Sequence, residues 1–355
     1  MRDLIGPSVS VMEKKKLSKF SEFDLTAQSV HPLTQKEKIP PSVKRKRIIL
    51  IAGPTASGKT GLSLDLAGII GAEIVSADSA QVYRGMDIGT AKATPEERAL
   101  FAHHLIDVQD IDEPFNVAEF YKSCQEAFRG IFARESVPIV VGGSGFYVHT
   151  LLYGPPSAPP SQPDVRDMLD RQMREMGPEV LYERLQILDP VYAATISERD
   201  RHKIVRALEI IALTDCKVSD FPKPNKEPDQ EYDFRCWFVY YPREILYKRI
   251  EERCEEMLKN GFLEEVKDLD RKGIRINSSA SQAIGYRQAL TYLASPQTDA
   301  DYLAFISDFK KASRQYAKRQ FTWFRKEPLF RWMNLEEYSK EQIREIILQD
   351  FEQGS

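Results

Sequence analysis

At 355 residues the chain exceeds one average domain and falls short of three, so a main domain with one sizeable insertion is expected. Its 42% hydrophobic, 10% aromatic and 29% charged residues exclude collagen-like, wholly disordered and multi-span membrane classes. Fifty Lys+Arg against 53 Asp+Glu give a net charge of −3, so a polyanionic partner would have to be met by a local basic patch. The four cysteines, Cys124, Cys216, Cys236 and Cys254, form no C-x-x-C pair and have no histidine at finger spacing. That argues against a zinc ribbon and a disulfide framework and fits a reducing cytoplasm.

Residues 1–46 read as a disordered basic leader, with Lys14-Lys15-Lys16, Pro40-Pro41 and a basic run entering Arg47, and no secretory apolar stretch. RIILIAG (47–53) is a continuous β-branched run, expected to be a strand buried on both faces, and the helical pattern GLSLDLAGII follows it. The same grammar recurs at AEIVSAD (72–78), HHLIDV (103–108) and VPIVVGGSG (137–145), the last preceded by the amphipathic VAEFYKSCQEAFRGIFARE. Strands alternating with helices predict an α/β fold, a parallel sheet flanked by helices, with the first part of the core at 47–160. PPSAPPSQP then breaks the pattern, and residues 161–232 read as an all-helical insertion closed by the Pro- and charge-rich FPKPNKEPDQEYD. A strand at RCWFVYYP (235–242) and two long helices, 243–273 and around 308–326, complete the core over 233–335, leaving 336–355 as a tail.

Gly53-Pro54-Thr55-Ala56-Ser57-Gly58-Lys59-Thr60 fits G-x-x-x-x-G-K-[ST] between a strand and a helix, a pattern expected by chance only about 0.01 times in a chain of this length. The glycines let successive N–H groups turn inward, the helix adds its positive end, Lys59 brings a mobile ammonium, and Thr60 offers a hydroxyl to Mg²⁺. Such a P-loop specifies a diphosphate or triphosphate without specifying ATP. Asp78 ends the second strand, expected to lie beside the P-loop strand so that its carboxyl end faces the crevice that holds the phosphates, and is a candidate general base or magnesium neighbour. An Asp that merely caps a turn is the bland alternative. Ser79 and Gln81 follow, and glutamine can pair with an adenine edge. The strand PIVV runs into Gly142-Gly143-Ser144-Gly145 with no acid, and Val148 stands where a dinucleotide fingerprint needs its third glycine. Both features weaken motor-ATPase and dehydrogenase readings. The segment DFKKASRQYAKRQFTWFRK carries Lys310, Lys311, Arg314, Lys318, Arg319, Arg325 and Lys326 with Tyr316, Phe321, Trp323 and Phe324 interleaved, offset within it only by Asp308. That composition points to RNA contact.

Beyond the P-loop, six ordered motifs, DSAQVYRGMDIGTAK (78–92), HHLID (103–107), VGGSGFYVHTLLYG (141–154), RALE (206–209), IGYRQ (284–288) and YAKRQFTWFR (316–325), resemble the bacterial-type tRNA dimethylallyltransferases, or tRNA isopentenyltransferases, across about residues 47–326. The resemblance implies a P-loop NTPase-like core with an inserted tRNA-binding domain. It also implies transfer of a dimethylallyl group from dimethylallyl diphosphate to N6 of the adenosine at tRNA position 37, assisted by Mg²⁺. In that reading Asp78 is the base, with Thr55, Lys59 and Arg253 acting at the diphosphate. The tRNA anticodon stem-loop is met by Asp78, Ser79, Ala80, Gln81, Ser144, Arg166, His202, Lys203, Ile204, Val205, Arg206, Ala283, Ile284, Gly285, Tyr286, Arg287, Gln288, Lys318 and Arg319, and a cytoplasmic monomer is implied. By spacing alone, Arg249 and Arg253 share a helix face, and pairing with Glu252 or Glu256 is the commoner outcome. The chain departs from the family's usual pattern at 195–203, and Ser144 stands for a threonine. An adenylate isopentenyltransferase, a small-molecule kinase and a non-enzymatic nucleotide-binding RNA module are the competing readings.

Overall fold

The computed structural model describes residues 45–222 and 227–353. Nearly all of the expected leader, residues 1–44, together with 223–226 of the expected linker and 354–355, lies outside the described residues. Six strands, β1 (Lys46–Ala52), β2 (Glu73–Ala77), β3 (His103–His104), β4 (Pro138–Gly142), β5 (Tyr232–Tyr240) and β6 (Arg331–Asn334), form one sheet in the order β3-β2-β4-β1-β5-β6. Every neighbouring pair is parallel. In β1, Ile48 to Ala52 are fully buried, as a β-branched run covered on both faces requires. One face packs α3 (Val117–Ala133) and α4 (Gly145–Tyr153) through Phe120, Phe128, Val148 and Leu151. The other packs α1 (Lys59–Ile70) through Leu62 and Leu66.

Helices α2 (Pro95–Leu100), α5 (Pro163–Leu188), α6 (Pro190–Ala193) and α7 (Arg201–Thr214) complete the set that precedes β5. The insertion, α5 to α7, encloses its own apolar cluster of Leu169, Met173, Leu181, Leu185, Ile204 and Leu208. Helix α5 breaks at Gly177-Pro178, where Gly177 has φ +84° and a proline follows. After β5 come α8 (Arg243–Lys259), α9 (Phe262–Arg271), α10 (Ser278–Ser281), α11 (Tyr286–Leu293) and α12 (Asp299–Phe324). Their cluster, with Ile250, Phe262, Tyr286, Phe305 and Phe309, also takes in Val82, Tyr83 and Met86 of the loop after β2.

Four expectations are corrected. HHLIDV is strand only at His103–His104, because Leu105 and Asp107 take positive φ and turn the Asp107 carboxylate onto Lys92 and Arg98, each at 2.6 Å. The long helix at 243–273 is two helices, parted at Gly261 with φ +93°. Strand β6 lies beside β5, and the stretch set apart as a tail holds α13 (Lys340–Gln353), whose Ile343 and Ile347 are buried against the α1 face of the sheet. Finally, β2 does not neighbour β1, since β4 lies between them.

Candidate active site

The strand order decides how the site is built. Gly142 at the end of β4 is in register with Ala52 on one side and Ala77 on the other. A Cβ on Gly142 would stand 2.2 Å from the Ala77 carbonyl oxygen, and one on Gly143 would stand 2.1 Å from Gln320 and 3.0 Å from the Gly53 oxygen. Between the P-loop and Asp78 the intervening strand therefore ends without side chains, and the two loops converge over it. The glycines that spoke against an ATPase acid in the sequence are the device that brings the base and the phosphate loop together.

The loop itself follows the motif. Ala56 and Gly58 adopt φ +63° and +88°, and Gly58, with no side chain, leaves the first-turn N–H groups of α1 uncapped for a ligand. The Lys59 ammonium donates to the carbonyls of Gly53 (2.9 Å) and Pro54 (2.7 Å). Burial and the neighbouring Arg253 lower the Lys59 pKa to about 7, while Asp78 pulls it back up. Arg253 is itself lowered, first by burial, and is supported by Asp78. Two half-buried cations sharing one carboxylate leave an excess of positive charge, which is the electrostatic condition for binding an anion. Arg249, one turn earlier, donates to the Ala56 carbonyl at 2.9 Å and stacks on Tyr241. The expected pairing of these arginines with Glu252 or Glu256 is replaced by contacts with the P-loop and the 78–92 loop, and Glu252 faces Lys248.

These groups face a cavity of about 400 Å³. Its polar side carries Thr55, Lys59, Thr60, Asp78, Gln81, Arg253 and Arg319, and its apolar side Ile250, Cys254, Met257 and Phe309. A second hollow of about 730 Å³, lined by the P-loop residues Ala56 to Thr60, shares Lys59, Thr60, Arg253 and Met257 with the first. Asp78 Oδ1 accepts from the Ala80 N–H at 2.9 Å. Ser144 Oγ accepts from the Ser79 N–H at 3.1 Å, tying the start of α4 to the end of β2. Tyr316 stands beside Asp78 and Ser144, and burial pushes its phenol up. Among the described residues no three His, Cys, Asp or Glu side chains gather as a metal cage. The Thr60 hydroxyl and the Asp78 carboxylate facing one cavity instead suit an ion that keeps waters and phosphate oxygens as ligands, as Mg²⁺ does.

Two residues essential to this geometry went unnoticed in the sequence. Gln320 of α12, 5% exposed, accepts from the Thr55 N–H at 2.9 Å and donates to the Gly143 carbonyl at 3.0 Å, clamping the P-loop to the end of β4. Glu265 of α9 accepts from the backbone N–H groups of Asp87, Ile88 and Gly89 at 3.0, 2.6 and 3.2 Å and from the Tyr286 hydroxyl at 2.6 Å. The loop it holds carries the Thr90 carbonyl, which receives both Gln81 (3.2 Å) and Arg253 (3.5 Å).

The expected RNA-contacting residues divide into two groups. Asp78, Ser79, Ala80, Gln81, Ala283, Ile284, Tyr286 and Arg319 line the cavity, and Ser144 adjoins it through Ser79. Gln81 accepts from the Ser76 hydroxyl and donates to the Thr90 carbonyl, so both ends of its amide are engaged within the protein. Ile204 and Val205 are buried in the insertion's core, leaving His202 and Lys203 of that stretch exposed. Arg206 is bonded to the fully buried Glu209 at 2.7 Å and to the Pro159 carbonyl, and Arg166 lies between Asp170 and Glu209. Tyr286 is buried and Gln288 caps Gly285, while Arg287 is exposed. In the basic run, Lys310 and Arg314 pair with Glu255 and Glu251 of α8, acids the local count had not included. Lys318, Arg319, Arg325 and Lys326 are exposed and make no ion pair among the described residues.

A family model described as IPP transferase matches residues 81–327. The chain belongs to the IPP transferase family. A tRNA dimethylallyltransferase of Protochlamydia amoebophila is 58% identical over 308 residues, covering 87% of this chain and 90% of that protein. A tRNA dimethylallyltransferase of Chlamydia abortus is 47% identical over 309 residues, covering 86% and 90%. Among solved structures, a full-length tRNA isopentenylpyrophosphate transferase from Bacillus halodurans superposes with a TM-score of 0.62 at 35% identity, covering 87% of this chain and 98% of its own. A eukaryotic dimethylallyltransferase acting on tRNA gives 0.68 at 28% identity, covering 86% and 79%. The family's P-loop-like fold with a parallel sheet is the one described above. No helix among the described residues is long and apolar enough to cross a membrane.

Proposed function

We propose that the protein transfers the dimethylallyl group of dimethylallyl diphosphate to N6 of the adenosine at position 37 of tRNA, releasing pyrophosphate. The observation that carries this reading is a cavity in which Asp78 faces the cations Lys59 and Arg253 across the side-chain-free end of β4, with an apolar wall alongside. The P-loop N–H groups, Lys59 and Arg253 hold the diphosphate, and Ile250, Cys254, Met257 and Phe309 offer the five-carbon group a dry surface. Mg²⁺, seated on Thr60 with phosphate oxygens and water, would neutralise the departing group.

The adenine reaches the cavity splayed from its loop, because a stacked base cannot present its N6 there. Asp78 takes the N6 proton as the N–C bond forms and the allylic C–O bond breaks, and the electron pair of that bond leaves with the diphosphate. Charge growing on the leaving oxygens is met by Lys59, Arg253 and the loop amides. The P-loop thus grips what departs, and no hydrolytic acid is needed at the end of β4. The exposed face of α12 with Lys318 and Arg319 meets the anticodon stem-loop of a tRNA bound by a monomer in the cytoplasm. Incubation with dimethylallyl diphosphate, Mg²⁺ and either an anticodon stem-loop or AMP, followed by mass spectrometry, tests the proposal. A five-carbon gain on the RNA alone is expected, and a gain on AMP alone would replace tRNA with a free nucleotide.

A further inference from the structure

Phe146 of α4 and Trp323 of α12 are 48% and 40% exposed, and their rings meet edge to face with centroids 6.5 Å apart. Among the described residues this is the one ring pair in which both members are exposed. The indole lies against the Gly145 backbone, where a Cβ would come within 2.3 Å of it, so the ring is held in place although its outer face is open to water. Large apolar faces left in water on adjoining elements call for an occupant.

The surroundings say which. Trp323 stands one helical turn beyond Arg319, which lines the cavity, and Phe146 is two residues beyond Ser144, whose hydroxyl holds the end of β2 beside Asp78. Arg325 and Lys326 follow on the same helix end, exposed and without ion pairs among the described residues, while the nearby acid Glu327 is buried against His149 at 2.8 Å. Open aromatic faces bordered by unpaired cations at the mouth of a site suit a nucleobase between two phosphates better than an apolar protein surface, which would leave those cations buried and unmatched. Extruding one loop base also strips a stacking partner from its neighbour.

We propose that Trp323 and Phe146 form a stacking platform for a base directly flanking the acceptor adenosine, taking the place of that adenosine once it has swung out of the loop. The proposal rests on the reading that the acceptor is an adenosine in an RNA loop. The test is a binding cycle using wild type, Trp323→Ala and Phe146→Ala against an anticodon stem-loop and two copies made abasic at the nucleotide 5′ or 3′ of the acceptor. Trp323→Ala should weaken binding of the intact loop about tenfold, and Phe146→Ala should weaken it in the same direction. One abasic RNA should weaken wild type by a similar factor yet bind the Trp323→Ala variant no more weakly than the intact loop does. Trp323→Phe, which keeps a ring, should recover most of the affinity. Additive losses at both abasic positions, or unchanged affinity in a folded Trp323→Ala, would overturn the platform. So would a change in sedimentation showing that the pair joins two copies of the protein. If wild type binds the loops but leaves them unmodified, the reading of function fails while the cycle still reports on the platform.

Discussion

Replacing Gln320 tests whether one buried amide sets the distance between the phosphate loop and the strand end. Gln320→Leu keeps most of the volume and removes two hydrogen bonds, to the Thr55 N–H and the Gly143 carbonyl. Each is worth about 1 kcal/mol net, and each partner left unpaired costs about 1 kcal/mol more, at the low end because both residues line a cavity that water can enter. The expected loss is therefore about 2–4 kcal/mol, read by urea denaturation with an unchanged m-value. A shift of about 1 Å in Thr55 relative to Asp78 should also slow single-turnover transfer by about 10²-fold. Gln320→Glu should be worse than leucine, since it turns a carboxylate oxygen toward the Gly143 carbonyl. A Gln320→Leu protein that loses the stability but keeps the wild-type transfer rate would refute the clamp and leave Gln320 as packing.

Three further outcomes follow from the charges. The folded pKa of Lys59, near 7, lies below its unfolded value, so in the free protein this group disfavours folding at low pH and ceases to do so as pH rises from 7 toward 10.5. Pyrophosphate binding should restore its proton, giving net uptake at pH 8 in calorimetry across buffers of different ionisation enthalpy. Lys59→Met should lack that uptake, and equal uptake in the two proteins would rule out Lys59 as the group that titrates. Asp78→Asn should bind the stem-loop nearly as wild type does while its single-turnover rate falls about 10²- to 10⁴-fold, and a wild-type rate would remove Asp78 from the base role. Lys318→Ala combined with Arg319→Ala should weaken RNA binding and flatten its salt dependence, with transfer surviving at saturating RNA. An unchanged salt slope would make that helix face merely solvated.

The P-loop, Asp78 and the parallel sheet were legible because each is local: eight consecutive residues, one strand end, a run of β-branched side chains. Gln320 and Glu265 were not, because their partners lie 265 and 176–178 residues away and their spacing carries no period. The acids Glu251 and Glu255 were hidden from the reading of the basic run for the same reason, being on a different helix. HHLIDV is a short, partly apolar stretch that reads as a strand, yet Leu105 is buried with φ +60° and Asp107 reaches Lys92 and Arg98, a demand visible only in three dimensions. Strand β6 escaped notice because it is a four-residue edge with two exposed positions, too short to show a pattern. In the His202–Arg206 stretch the resemblance implied RNA contact for every residue, but helical periodicity sends Ile204 and Val205 inward, so adjacency in sequence did not mean a shared surface.

Dimethylallyl diphosphate carrying ¹⁸O in its bridging position distinguishes a P-loop that holds the leaving group from one that activates a phosphoryl group. In a single turnover with a stem-loop, the label should appear wholly in pyrophosphate while the five-carbon group appears on the RNA. Label recovered in a free five-carbon alcohol would mean that a P–O bond had broken, and it would contradict the account.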